Sequence, residues 1–346
     1  MASQFSVIIV GGGAIGLTLA KALADHAIPV TVVESHKPNL LWSDNNPTAR
    51  VYALNQASIQ ILKNLGIWSS IPSQSKSVLH RMDIWDHTYA GQIRFCATQV
   101  PSPQLGQIVE NRAIVKALWE DLEKHSQVTL IHSAKPTEII SNTNHCQLTL
   151  TNGQVLQSSL IIGADGPQSW VRQHALFRYH QRPYHHDALT TVIETDQSHQ
   201  QTALQQFLPN GPIGILPLHD ANQSSIVWSS STSHIDELSK LSRDALGLTV
   251  GEAINHRWGK VNVISSSHRF PLTMRHVSYY YKNRTALIGD AAHTIHPLAG
   301  VGANLGFFDA AVLAECLIKH VNKKNYSLPS ALQHYQRWCR PRNSAF

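Results

Sequence analysis

Residues 286–310 read ALIGDAAHTIHPLAGVGANLGFFDA, with an acid, two histidines and closely spaced glycines in one short run. Asp290, His293 and His296 are the side-chain types of a metal site, which needs at least three well-aimed ligands and an open position. The spacing argues against it. It lacks the paired i, i+4 histidines of a zinc helix, and Pro297 breaks any regular element directly after His296. No metal is expected. The glycines instead suit a loop fitted against a flat ligand. Asp290 ends an apolar strand, where its carboxylate can accept hydrogen bonds from a polyol chain. Gly300, Gly302 and the amides that follow can form an anion-stabilising nest at the N-terminus of the next helix. His293 reads as a packing or loop-bonding residue, and His296 as a candidate for the wall of a reaction cavity.

Two further motifs belong with this run. Gly11-x-Gly13-x-x-Gly16 follows the apolar run FSVIIV and precedes LTLAKALADH. Glycines there permit a tight turn and let a pyrophosphate approach a helix N-terminus. Glu34 closes the next apolar run, PVTVVE, where a carboxylate can accept both ribose hydroxyls. This motif binds a dinucleotide but does not choose between NAD and FAD. The second motif is Gly163-Ala164-Asp165-Gly166, followed by Ser169 and Arg172. It brings a loop close to a ligand, although Asp165-Gly166 alone is only a turn. A flavin fits the three together: Asp290 would reach its ribityl chain, and the helix end after Gly300 would favour the charge its ring gains on reduction.

The elements that position these motifs can be read from periodicity. Short apolar runs bounded by glycine suit buried parallel strands. Residues 55–66 predict a helix capped at its C-terminus by Gly66, and residues 111–125 predict one with Asn111 as N-cap. Asn152-Gly153 between alternating residues predicts a hairpin with a type I′ turn. Residues 177–283 alternate short β-rich runs with polar turns, and TALIGD then returns to the α/β texture, followed by a helix over roughly 303–320. The first domain is therefore expected to be discontinuous, with a β-rich insertion.

The 346 residues carry a formal net charge of +6, with 42% hydrophobic and only 14% charged residues. Arg337, Arg340 and Arg342 form the only tight basic cluster, so a nucleic-acid partner is not expected. A weakly basic surface suits an anionic cofactor or an anionic membrane surface equally. Cys96, Cys146, Cys316 and Cys339 lie far apart without a CxxC, as expected of cytoplasmic free thiols. The N-terminus lacks the pattern of a signal peptide. No apolar run approaches ~20 residues, so no spanning helix is expected.

Together the three motifs resemble the signatures of flavin-dependent aromatic hydroxylases, the para-hydroxybenzoate hydroxylase superfamily of class A flavoprotein monooxygenases. ARVYALNQASIQILKNLGIW, IVENRAIVKALW, FLPNGPIGILPL and FPLTMRHV, with the 286–310 run, look like the narrower ubiquinone-biosynthesis hydroxylase family. The resemblance covers nearly the whole chain. It implies an α/β fold: a discontinuous, Rossmann-like (GR2-type) FAD-binding domain at 1–78, 108–176 and 284–346, with a β-sheet substrate domain at 79–107 and 177–283. It implies hydroxylation of a polyprenylated phenol with FAD, NAD(P)H and O2 through a flavin 4a-hydroperoxide. A quinone-biosynthesis complex and a peripheral seat at the inner membrane are further expectations.

Residue by residue, the resemblance assigns to the cofactor Gly11, Gly13, Ala14, Gly16, Glu34, Arg50, Arg112, Asp165, Gly166, Gly289, Asp290, Pro297, Gly300, Gly302, Ala303 and Asn304. Arg50, His296 and Pro297 would lie nearest the ring. Phe207, Leu216, Trp228 and Phe270 are candidates to line a cavity for the prenyl tail, though each residue type is more often plain core. Two departures stand out. Val301 occupies a position next to the ring where the family usually has Gln. The chain also stops at Phe346, where family members continue into further helical segments, so those helices are expected to be absent. A flavin-dependent prenyl-lipid reductase and a non-catalytic scaffold in a quinone-biosynthesis complex remain as alternatives. The WxWxIP run of flavin halogenases does not occur.

Overall fold

The computed structural model describes residues 5–42, 48–88, 91–99, 101–143, 145–296, 300–323 and 325–345. β1 (Val7–Val10) is buried along its whole length, as its uninterrupted VIIV sequence requires. It runs into α1 (Ala14–Ala24) and then β2 (Val30–Glu34), which pairs with β1 in parallel. The strand Val128–His132 extends this sheet beyond β2. On the other side of β1 lie Leu160–Gly163 and Thr285–Leu287, both parallel, with the antiparallel Tyr281–Lys282 at the edge. The order brings three sequence-distant strands side by side, with their C-terminal ends, and so all three glycine motifs, at one edge.

A small antiparallel sheet stands beside that edge: β3 (Val51–Asn55), Gly106–Glu110 and Lys76–Leu79. Asn55 caps α2 (Gln56–Asn64) by accepting the Ser58 amide at 3.0 Å, and Gly66 beyond it takes φ +72°. α3 spans Asn111–Leu122, but the expected cap is displaced by one residue. Glu110 occupies the N-cap position without a side-chain bond to the helix. Its carboxylate instead accepts Arg112 Nε at 2.8 Å. The hairpin Cys146–Leu150 with Val155–Ser158 forms as expected, but its turn is not type I′. Gly153 has φ +81° while Asn152 stays outside the left-handed region, and type I′ needs positive φ at both. Two additional loop residues, Thr151 and Gln154, allow the wider turn, closed by Gly153 N to Leu150 O at 2.9 Å.

After α4 (Trp170–His174) the chain enters a nine-stranded sheet built around the long strand Tyr179–Thr195. α5 (Thr232–Lys240) and α6 (Arg243–Ala253) cover one face. Leu189, Ile213, Ile226 and Trp228 of the sheet form a core there with Ile235, Leu246 and Val250 of the helices. The opposite face turns towards β3, where Val192, Leu216 and Leu218 pack with Ile108, Val51 and Ala53. His293–Thr294, directly after the Asp290 turn, pairs with Arg275–His276 at this sheet's edge, so the 286–310 run joins both sheets.

α7 (Val301–Asn322) and α8 (Leu328–Asn343) complete the fold. α7 is long and apolar enough, by length and composition alone, to cross a membrane, a property that the buried core helix of a folded domain shares. Asp309, Glu315 and Lys319 interrupt its apolar sequence, so a search for unbroken runs misses it. Its apolarity has a packing cause: Phe307, Ala310, Leu313 and Leu317 are buried in the core of the parallel sheet.

Candidate active site

The three motif loops lock into each other through backbone contacts. Gly11 N donates to Val33 O at 2.8 Å, Ala164 N to Val10 O at 2.8 Å, and Ile288 N to Gly163 O at 3.0 Å. Gly11 has φ +116°, and a Cβ there would fall onto the Ala164 carbonyl. A Cβ on Gly16 would fall onto the Gly11 carbonyl. Around Gly13 and Gly166, by contrast, no heavy atom lies within 4 Å of a built Cβ. The glycine loop is thus tight underneath and open on top, as close approach of a pyrophosphate to α1 requires. The first turn of α1 carries no acid and no side-chain cap, so its positive end faces the opening unscreened. Ala14 is buried, leaving only its backbone to face a ligand. Glu34 Oε2 accepts the Gly12 amide at 2.6 Å and keeps acceptor capacity for a sugar hydroxyl. These residues fit a dinucleotide.

Asp290 lies in the short turn that follows the strand Thr285–Leu287. Solvent still reaches it, yet the protein around it is dense enough that desolvation raises its pKa, against the opposing pull of His293 and Arg50. Arg50 also hydrogen-bonds Tyr52, whose phenol is pushed up chiefly by burial. Arg50, Tyr52 and Asp290 therefore form one polar cluster between β3 and the Gly289 turn. Tyr52 was not singled out in sequence; its place at the inner end of β3 becomes visible only when β3 is set against α7, where it meets Phe307 edge-on at 6.4 Å.

Other expected contacts are redistributed. Asp165 uses both carboxylate oxygens locally, accepting Ser169 Oγ at 2.5 Å and Val171 N at 3.0 Å to shape the start of α4. Burial raises its pKa and these bonds oppose the rise. Arg172, 1% exposed, joins this loop to the next motif by donating to Pro167 O at 2.8 Å and Ala291 O at 3.0 Å. Arg112 pairs with Glu110 and lies over the Trp42 ring, 4.7 Å from its centroid.

Asn304 corrects the expectation of a side-chain contact to the ring. Its amide donates to Ala53 O and Gly300 O and accepts Asn55 N and Ser58 Oγ, which fills its capacity inside the protein. It braces α7 to β3, near the place where Gly300, at φ +61°, packs within 2.8 Å of Ala53 by a built Cβ. Gly302 and Ala303 lie in the first turn of α7, beside Gly300. Pro297 lies outside the described residues.

His296 faces the second sheet. Its ring meets Tyr184 edge-on at 5.0 Å, and its Nδ1 has no hydrogen-bond partner among the described residues. Burial, then the neighbouring His186, holds its pKa below the usual histidine range. The nine-stranded sheet divides the expected tail-lining residues. Trp228 is 3% exposed and belongs to the core under α5 and α6, on the face away from the loops, so it cannot line the site. Strand alternation puts Phe207, next to Leu208, and Phe270, paired with Ala188, on the other face with Leu216. There Phe207 and Phe270 remain 43% and 41% exposed.

Comparison with known proteins agrees with this geometry. A family model described as an FAD binding domain matches residues 4–346. The 3-demethoxyubiquinol 3-hydroxylase of Escherichia coli (strain K12) is 37% identical over 323 residues, covering 92% of this chain and 80% of that protein. Ubiquinone hydroxylase UbiL of Rhodospirillum rubrum is 31% identical over 338 residues, covering 97% and 78%. The crystal structure of Pseudomonas aeruginosa PqsL in complex with 2-aminobenzoylacetate shares the fold at TM-score 0.83 and 22% identity, over 99% of this chain and 94% of that one. The family match over residues 4–346, together with relatives 37% and 31% identical across most of both chains, places this protein in the FAD-binding family of monooxygenases, among the FAD-dependent hydroxylases of ubiquinone biosynthesis.

Proposed function

We propose that the chain hydroxylates the ring of a polyprenylated phenol, with FAD as resident cofactor and NAD(P)H and O2 as co-substrates. The observation that most supports this is the meeting of two unlike surfaces. The motif loops offer amides, Glu34 and Asp290 to a dinucleotide, and the inner sheet face offers the exposed rings of Phe207 and Phe270 to an apolar tail. The site falls between a cofactor body at 1–78, 108–176 and 284–346 and a substrate body at 79–107 and 177–283.

In this reading Gly11, Gly13, Ala14 and Gly16 carry the pyrophosphate on the end of α1, and Glu34 takes a ribose hydroxyl. Asp290 takes the ribityl chain, with Arg50 beside it. The loop after Gly163, with Asp165, Gly166 and Arg172, supports the cofactor from below. The first turn of α7, at Gly300, Gly302 and Ala303, faces the pyrimidine edge, with Val301 apolar beside it. When bound, the flavin supplies electron transfer and oxygen activation. The protein's own residues orient the phenol and keep water away, which limits loss of oxidant to solvent. In this reading His296, whose pKa burial and the neighbouring His186 hold below the usual histidine range, handles the phenol proton. An insoluble substrate and the net charge of +6 favour a peripheral seat at an anionic membrane.

The test begins with FAD titration of the purified chain, followed by visible absorption. Saturable binding should precede NAD(P)H oxidation matched by O2 uptake and hydroxylated product from a prenylphenol. NAD(P)H oxidation without O2 uptake would replace hydroxylation with reduction. Absence of FAD binding would remove the enzyme reading.

A further inference from the structure

Beneath the Gly289–Asp290 turn lies a buried polar cluster that touches none of the open cleft. Asp309, in the middle of α7, is 0% exposed and His293 is 1% exposed. His293 Nε2 meets Asp309 Oδ2 at 2.5 Å. The same oxygen accepts the Gly289 amide at 3.0 Å. Asp309 Oδ1 accepts Asn343 Nδ2 from α8 at 2.9 Å. Asn343 Nδ2 also donates to Tyr280 Oη at 3.1 Å, and that hydroxyl bonds His276 Nε2 at 3.0 Å. The Tyr280 ring stacks on His293, with centroids 6.1 Å apart. Gly306, one turn before Asp309, opens room for the turn: a Cβ there would lie 3.4 Å from Gly289 Cα.

A buried ion pair is a weak source of net stability, because desolvation of both charges offsets their attraction, whereas removal of one partner is strongly destabilising. What such a pair does well is select one geometry. Here the selected geometry is the left-handed Gly289, at φ +58°, whose amide must point at Asp309. Asp290 follows directly. The same helix ends, eight residues before Asp309, at the Val301 turn assigned to the cofactor ring.

We infer that Asp309 and His293 are positioning residues for the cofactor site: they clamp the Gly289–Asp290 turn to α7, so that the Asp290 carboxylate and the N-terminus of α7 are held on one rigid element, and α8 closes the clamp through Asn343. The inference rests on the reading of Asp290 as a cofactor contact. Neither residue touches the cofactor; both act through Asp290 and the backbone around it.

The test is a double-mutant cycle on FAD affinity together with amide hydrogen exchange of the FAD-free chain. Asp309→Asn should weaken FAD binding by about tenfold to a hundredfold, the range typical of lost supporting contacts. It should speed exchange across residues 288–294 while the strand Val7–Val10 stays protected. Asp290→Ala should weaken FAD in the wild-type background but add little in the Asp309→Asn background, because the carboxylate is already misplaced. Fully additive effects, or unchanged exchange at 288–294, would overturn the clamp and leave Asp309 as a general brace. If Asp309→Asn does not fold, Asn343→Ala removes only the α8 donor and should shift both readouts the same way by a smaller factor. Exchange needs no cofactor, so it still judges the clamp if FAD binding itself fails.

Discussion

At the C-terminal ends of β1, β2 and their parallel neighbours, each motif lies where strand connectivity must deliver it. In the nine-stranded sheet, two faces both carry apolar side chains, and only one of them packs towards β3 and the motif loops. In the parallel sheet a residue's place follows from being the first after a buried strand: Gly11 after Val10, Ala164 after Gly163, and Gly289 soon after Leu287. In the nine-stranded sheet a residue's place depends on parity, because neighbours point to opposite faces. Trp228 and Phe270 were equal candidates by composition, yet one supports α5 and α6 and the other stands partly exposed on the opposite face. Function can therefore be read more directly from loops at strand ends than from the rings of a two-faced sheet.

The contrast predicts a graded series of effects. Trp228→Ala empties a core position and should cost about 3–5 kcal/mol of folding stability. Thermal or urea unfolding would report it, with FAD affinity in the folded fraction little changed. A loss of prenylphenol binding at unchanged stability would return Trp228 to the site and break the comparison. Asp290→Ala should weaken FAD about tenfold to a hundredfold, the value of a charge-assisted hydrogen bond at about 1.5–3 kcal/mol. Because its side chain is exposed to solvent, unfolding of the FAD-free chain should show little change in stability.

Phe270→Ala should change stability by less than about 1 kcal/mol, since the ring is already half in solvent. It should raise KM for a prenylated phenol by about fivefold and leave the unprenylated phenol unaffected, which steady-state assays of the pair would read. The smallest effect is expected from pH. His199, His276 and His296 all titrate below the usual histidine range, in each case chiefly because of burial. A depressed histidine means that the unfolded chain binds the proton more readily. The stability it contributes is thus present above about pH 6.5, the unfolded value, and is lost as pH falls through the folded value. Unfolding midpoints should decline on acidification from pH 7, and His296→Gln should flatten that decline without removing it.

Much of this protein was legible from local sequence. The VIIV run, the spaced glycines and the PVTVVE run that Glu34 closes specify a strand, a tight turn, a helix and a second strand for local reasons that need no distant partner. Asn55 and Gly66 bound a helix for equally local reasons, a side-chain acceptor at one end and a left-handed residue at the other. What tertiary structure alone decided is everything that depends on which distant group comes near. Asn304 reads as a ring-facing residue until Ala53, Asn55, Ser58 and Gly300 are seen to use its amide. Asp165 reads as a ligand contact, and only the fold adds that its carboxylate also shapes the start of α4 through Ser169 and Val171. Asp309 looks like a stray acid in an apolar helix, and only the folded chain brings to it Gly289 and His293 of the preceding turn and Asn343 of α8. Hydrogen-bond capacity is finite and buried charge must be matched. A polar residue's role is therefore set by its partners in space, which one-dimensional spacing does not specify.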